Sequence, residues 1–191
     1  MNYTVAELEQ LGIRVGVNPS IHKSVLFFNP EKIVIGHHVR IDCFSMLSAG
    51  DEGIMIGRNV HIAVSSYIFG TGGRVVLSDF CALSARVSLF TATDDYSEGY
   101  LTNPTVPERY KKVKRGPIIL EPHALIGTAS AVLPGVTLAR GSTVGAMSLV
   151  YQNVSEYHVV LGIPARVIGR RDANKLQQLE TAYLEREGRV G

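Results

Sequence analysis

His61, Asp94 and Asp95 are the side chains of this sequence best suited to moving a proton. Acid–base chemistry at neutral pH needs a group that titrates near 7. Histidine does so by nature. An aspartate is a feeble base unless burial or a neighbouring carboxylate raises its pKa, and the Asp94-Asp95 pair supplies such a neighbour. The same pair equally suits the binding of hydroxyl groups or the capping of a turn. Of the other histidines, His37, His38 and His123 sit among turn-forming residues, and His22 and His158 lie toward the ends of the patterned region. His61 stands between the apolar Val60 and Ile62, so in an extended segment its ring points away from both of them. By the same alternation Ser65 and Tyr67 face outward, and Tyr96 and Tyr100 follow the aspartates closely. The basic run Arg109 to Arg115 could steer an anion or simply face solvent.

What must position these groups is a six-residue lattice. Aliphatic residues recur at Ile35, Ile41, Leu47; Ile56, Ile62, Ile68; Leu77, Leu83, Leu89; Leu120, Ile126, Val132; and Leu138, Val144, Val150. The fifth place of each unit is small or apolar, as at Val39, Ser45, Val60, Cys81 and Val136, and fails only at Asp51 and Gly72. Fifth and next first places are two apart, so both point to one side of a strand. Turn formers such as Gly57, Asn59 and Pro134-Gly135 fill the places between. Such a period reads as a solenoid of stacked β-coils. The lattice is interrupted three times, by three residues after Leu47, three after Ile68 and about twenty-five after Leu89. Each break follows a third unit, so with three units per coil every insertion leaves the same corner of a triangular prism.

The chain of 191 residues is 46% hydrophobic with a formal charge of +2, a balance that gives no support to nucleic-acid or membrane-surface binding. No stretch approaches the roughly 18 apolar residues of a membrane span, and the start has no basic region followed by an apolar run, so the expectation is a cytoplasmic protein. Cys81 occupies an inward place and Cys43 a turn, which argues against a disulfide. Thr4, with Glu7 three residues on and Gly12 as a stop, predicts a short N-terminal helix. Residues 13–30 read as a first, distorted coil. From Asp172 to Glu187 a stripe of Leu176, Leu179, Tyr183 and Leu184 predicts an amphipathic helix. The expected organisation is a β-helical domain over 1–171, with a loop at 94–117, and a C-terminal helix and tail over 172–191.

The segment Leu120-Glu-Pro-His-Ala-Leu-Ile-Gly-Thr-Ala-Ser-Ala-Val-Leu-Pro-Gly-Val, continued through Val150 and followed by Gly162-Ile-Pro-Ala-Arg-Val-Ile168, resembles the hexapeptide-repeat acyltransferases, most of all the sugar O-acetyltransferases of the galactoside and maltose type. The resemblance covers residues 35–171. It implies a mainly β protein: a left-handed parallel β-helix of about five to six coils, with a long loop after the middle coils and a helix at each end. It also implies a homotrimer using acetyl-CoA and no metal. Residue by residue it carries the donor site onto Thr128, Ala146, Tyr151, Arg166 and Arg170. Tyr151-Gln152 replaces the family's usual Thr-Lys pair, which Arg166, Arg170 and Arg171 are expected to offset.

For the acceptor the resemblance implies a sugar, with Ser65, Tyr67, Tyr96 and Leu125 around it. Leu125 stands where relatives often place a tryptophan, which leaves room for an acyl group larger than acetyl. The histidine that such enzymes keep at the start of the long loop is absent, and Asp94 stands there instead. His61 falls in the column of Leu125, two coils below and so about 10 Å away. The leading expectation is O-acetylation of a sugar or surface-polysaccharide precursor, with His61, Asp94 and Asp95 as catalytic candidates. The alternative is N-acetylation of an amino nucleotide-sugar, because a neutral amine is already nucleophilic. A zinc hydratase of the same fold would need three histidines around the metal, and only His61 is suitably placed.

Overall fold

The computed structural model describes residues 1–187, and through them the chain winds as a three-faced parallel β-helix. The first face stacks the strands Arg14–Val15, Ile33–Ile35, Ile54–Ile56, Val75–Leu77, Ile118–Leu120 and Thr137–Leu138. The second stacks Ser20–Ile21, Arg40–Ile41, His61–Ile62, Ala82–Leu83, Leu125–Ile126, Thr143–Val144 and His158–Gly162, closed by the antiparallel strand Ala165–Arg170. The third stacks Leu26–Phe28, Met46–Ala49, Tyr67–Gly70, Ser88–Phe90, Ala131–Val132 and Leu149–Val150.

The aliphatic first places fill the prism. None from Ile35 to Val150 is more than 3% exposed. Six turns are complete, and a seventh begins at the Leu138–Val154 bridge and the strand His158–Gly162, so the coil extends beyond the expected five to six. The first coil is not distorted. A turn at Pro30–Lys32 takes up its extra residues, Ile13, Ile21 and Val25 are buried, and Val17 is left out in solvent.

All insertions leave the corner where the third face turns into the first. There the chain packs backbone on backbone. A Cβ on Gly50 would stand 2.2 Å from the Gly70 carbonyl oxygen, and one on Gly72 2.3 Å from that of Thr91, so only glycine fits either place. The long insertion is partly ordered as a ribbon. Ala92–Asp94 pairs antiparallel with Val113–Arg115, and Thr93 consequently leaves the inward column.

Helix α1 (Val5–Gln10) carries the expected capping box of Thr4 and Glu7 and plugs the lower end with Leu8. Helix α2 (Ala173–Glu187) descends along the corner between the first and second faces. Residues 188–191 of the expected tail lie outside the described part. The packed stripe of α2 differs from the one expected. Leu179 is 60% exposed, and Glu180 turns inward to meet His123 Nε2 at 3.0 Å and the Arg140 guanidinium. Tyr183 Oη accepts from Asn59 Nδ2 at 2.6 Å and its ring stands edge-on to Phe80, which stacks on His123. A charged residue faces inward because its partners were brought there by the corner.

Burial pushes the Glu180 carboxyl up, but the hydrogen bond and charge of His123, together with Arg140, outweigh this and hold it below the usual glutamate range. A depressed carboxylate stabilises the docked helix above its unfolded pKa of about 4.3, and that contribution is lost as pH falls through the lower folded value. Hydrogen exchange corrected for intrinsic rates should therefore show α2 loosening below about pH 4, ahead of the prism. Glu180→Gln should weaken docking by about 1–2 kcal/mol at pH 7 and abolish that pH dependence.

Candidate active site

The second corner, between the second and third faces, is built for close approach. Ser45, Ser66, Ser130 and Ser148 lie buried beneath it, each donating its hydroxyl to a backbone carbonyl: those of Ala63, Ser84, Gly145 and Gly145 again. Because Oγ also accepts an amide from the coil above, as at Ser66 N to Ser45 Oγ and Ser148 N to Ser130 Oγ, the serines clip coil to coil. Thr128 and Ala146 sit on this clipped edge in successive coils, joined by the Met147 amide on the Thr128 carbonyl at 2.7 Å. Gly127 makes the approach possible, since a Cβ there would stand 2.5 Å from Ala146 N. The outward column beside it runs Ala63, Ser84, Gly127 and Gly145, small residues that leave a flat shelf.

The donor candidates fall into separate groups. Tyr151 and Arg166 line one pocket at the upper end of the prism with Gln152, Asn153 and Val167. Arg170 pairs with His158 and so lies at the far end of the second face from Thr128 and Ala146. Arg171 does not reach toward a ligand, because its Nη1 donates to the carbonyls of His123 and Gly141.

The acceptor candidates are likewise divided. The register His61–Ala82–Leu125 places His61 two coils below Leu125 in one outward column. His61 is not alone. Its Nε2 lies 2.9 Å from Asp42 Oδ2, and Asp42 Oδ1 accepts from Arg40 Nε at 2.7 Å. Burial raises the Asp42 carboxyl, but those two hydrogen bonds outweigh it and hold it below the ordinary range. Ser65 lies on the second corner in the left-handed backbone region and Tyr67 starts the third face. Tyr96 stands 87% exposed in the long insertion, its hydroxyl accepting from Thr93 Oγ1.

Asp94 ends the ribbon's first strand with its carboxylate accepting the Asn103 amide at 3.4 Å. Asp95 behaves differently. It accepts the amides of Ser97, Glu98 and Tyr100, the first of which does most to hold its carboxyl below the aspartate range. That is the capping alternative, and a depressed carboxyl is the opposite of what base work requires. Within the basic run, Lys111 and Arg115 pair with Glu108 and Lys112 with Glu98, so much of its charge is neutralised inside the loop. Among the described residues no group of three or more potential metal ligands comes together, and no helix is long and apolar enough to cross a membrane.

One chain does not assemble these parts. Asp94 springs from the corner where the third face turns into the first, whereas Ser84, Thr128 and His61 lie on or beside the second face, and the third face runs between them. Sequence reasoning did not bring out Asp42, a turn residue nineteen positions before its partner His61, or Ser84, a second-place residue on the shelf.

A three-faced prism of six-residue rungs with a clipped, shelf-like edge defines the hexapeptide-repeat class of β-helices. No family model matches the chain. It is 39% identical over 178 residues, 93% of this chain and 92% of the other, to a dTDP-4-amino-4,6-dideoxy-D-glucose acyltransferase of Escherichia coli. It superimposes on AntD, an N-acyltransferase from Bacillus cereus solved with dTDP and 3-hydroxybutyryl-CoA, with a TM-score of 0.92 at 36% identity, covering 98% and 100% of the two chains. AntD has also been solved as its D94N and S84C variants. A maltose O-acetyltransferase from Clostridium difficile shares the fold at 18% identity, with a TM-score of 0.60 over 87% and 74% of the chains. The chain belongs to the hexapeptide-repeat acyltransferases and is an acyltransferase.

Asp95→Ala would release three amides at the ribbon tip. Limited proteolysis should then cut the 95–106 segment several-fold faster while the prism's melting temperature stays within about 2 °C.

Proposed function

We propose that this protein transfers an acyl group from a coenzyme A thioester to the amino group of a nucleotide-linked amino sugar of the dTDP-4-amino-4,6-dideoxyglucose class. The observation that carries this is likeness along the whole chain to an acyltransferase acting on that sugar. The absent loop histidine supports it independently. A hydroxyl acceptor needs a strong base, whereas a neutral amine attacks the thioester unaided and sheds its proton only afterwards. The amino acceptor is therefore favoured over the sugar hydroxyl.

In this reading the thioester lies along the second corner. Thr128 and Ala146 flank the pantetheine arm, and Tyr151 and Arg166 meet the nucleotide end of the donor. The amine attacks the carbonyl carbon, the C–N bond forms, and the tetrahedral intermediate collapses with cleavage of C–S. Asp94 takes the ammonium proton and returns it to the departing thiolate. Ser84, on the shelf below Gly127, faces the reacting sulfur or oxyanion with its hydroxyl. AntD has been altered at an aspartate 94 and a serine 84, and this chain carries the same residue types at the same numbers. The shelf and Leu125 accommodate an acyl group larger than acetyl, in keeping with the 3-hydroxybutyryl thioester bound by AntD.

Because one chain keeps Asp94 apart from Ser84, the reading requires a site shared between copies, as in a homotrimer. The test is thiol release from acetyl-CoA and 3-hydroxybutyryl-CoA with dTDP-4-amino-4,6-dideoxyglucose beside its 4-hydroxyl counterpart. Release with the amine alone is expected, and release with the hydroxyl sugar alone would reverse the assignment. Asp94→Asn should lower kcat by about 100-fold or more. Oligomers refolded from equal amounts of Asp94→Asn and Ser84→Ala chains should recover about a quarter of wild-type activity, provided each parent is inactive.

A further inference from the structure

The outward surface of the second face changes character along the prism axis. Its upper part, toward the donor edge, carries Ala82, Ser84, Leu125 and Gly127. Its lower part carries Ser20, Arg40 and His61 in one column and His22 and Asp42 in the next. Asp42 organises that lower part. It accepts from Arg40 through Nε, and this leaves the two terminal guanidinium nitrogens without a protein hydrogen bond among the described residues, on a side chain 65% exposed. It engages His61 through Nε2, and the other ring nitrogen, Nδ1, is left for a ligand, with the side chain 44% exposed. The carboxylate thus fixes the planes of a guanidinium and an imidazole on adjacent coils while keeping one edge of each free. A depression beside them is floored by Asn2 and Ser20, which are hydrogen-bonded at 3.1 Å, and includes His22.

A guanidinium held by Nε presents its terminal nitrogens as a fork, the geometry that suits a phosphate. Coils are spaced by about 4.8 Å, so Arg40 and His61 lie about 10–15 Å below Leu125. A pyranose whose amine reaches the donor edge would cover the small residues of the upper shelf, and the diphosphate on its anomeric carbon would then fall on the Arg40–His61 level. We infer that Arg40 and His61, braced by Asp42, form the diphosphate subsite of the acceptor, with the nucleoside continuing toward the Asn2–Ser20 floor. This rests on the proposed nucleotide-sugar acceptor and assigns His61 to binding rather than to proton transfer.

The test uses the full-length protein and two probes, dTDP and thymidine, in titration calorimetry, together with KM values for the amino nucleotide-sugar and for the acyl thioester. Arg40→Gln and His61→Gln should each weaken dTDP binding tenfold or more and raise the nucleotide-sugar KM to match. Arg40→Lys, which keeps the charge but loses the fork, should fall between. Thymidine binding and the thioester KM should stay within twofold of wild type, which also shows that the variants are folded. If both glutamine variants bind dTDP within twofold of wild type, the subsite is wrong even where the wild type acylates the nucleotide-sugar. A fall in turnover with KM unchanged would likewise overturn it, in favour of a catalytic His61. If the wild type ignores dTDP and acylates only a free amino sugar, the acceptor reading itself fails and takes the subsite with it.

Discussion

Everything in this protein hangs on how wide a triangular prism can be. Each coil lays three short strands against those of the coil below, with backbone ladders running parallel to the axis, and the space they enclose is filled by aliphatic side chains from every face. Close packing in so narrow a space favours isoleucine, leucine and valine at the first places from Ile35 to Val150. At the second corner the buried serine hydroxyls are answered by backbone groups. The same constraint decides where the chain can add residues. An insertion in a strand would shift the inward set outward, so extra length is confined to corners, and here to one corner.

Rigid edges and a single extensible corner divide the labour of the site. The clipped second corner cannot move appreciably without breaking coil-to-coil hydrogen bonds, and it offers a straight, shelf-like edge to a long thin ligand. The third corner carries the ribbon that bears Asp94. The third face lies between them, so within one chain the fold holds Asp94 and the second-corner shelf apart, which is why the proposed reading calls on a second copy.

That physics explains what could be read in advance. The inward columns, the shared insertion corner, the capped N-terminal helix and the adjacency of His61 to the Leu125 column all follow from spacing, because neighbours one coil apart are set by the repeat. Legibility fails where a partner comes from outside the period. The first coil has its extra residues absorbed by a 3-10 turn, and Glu180 faces inward on α2 because His123 and Arg140 wait at the corner. Asp95 looks like a member of a carboxylate pair, but three backbone amides that no periodicity reveals have made it a turn cap. The Asp42–His61 bond joins a turn to a strand, and neither residue signals the other in sequence.

The choice of acid–base group is consistent with the acceptor. A histidine at the start of the long insertion would serve a hydroxyl, whose proton must leave as the C–O bond forms. An amine attacks first and becomes acidic only when it carries positive charge, so its proton leaves after the C–N bond has formed. On the proposed reading, aspartate at position 94 suits a more nucleophilic acceptor. The histidine that the chain does keep on its second face is tied through Nε2 to a carboxylate that Arg40 also holds. An imidazole fixed in that way, beside a guanidinium with its fork free, is the arrangement on which the inferred anion subsite rests, and in the proposed reading it leaves the proton to Asp94.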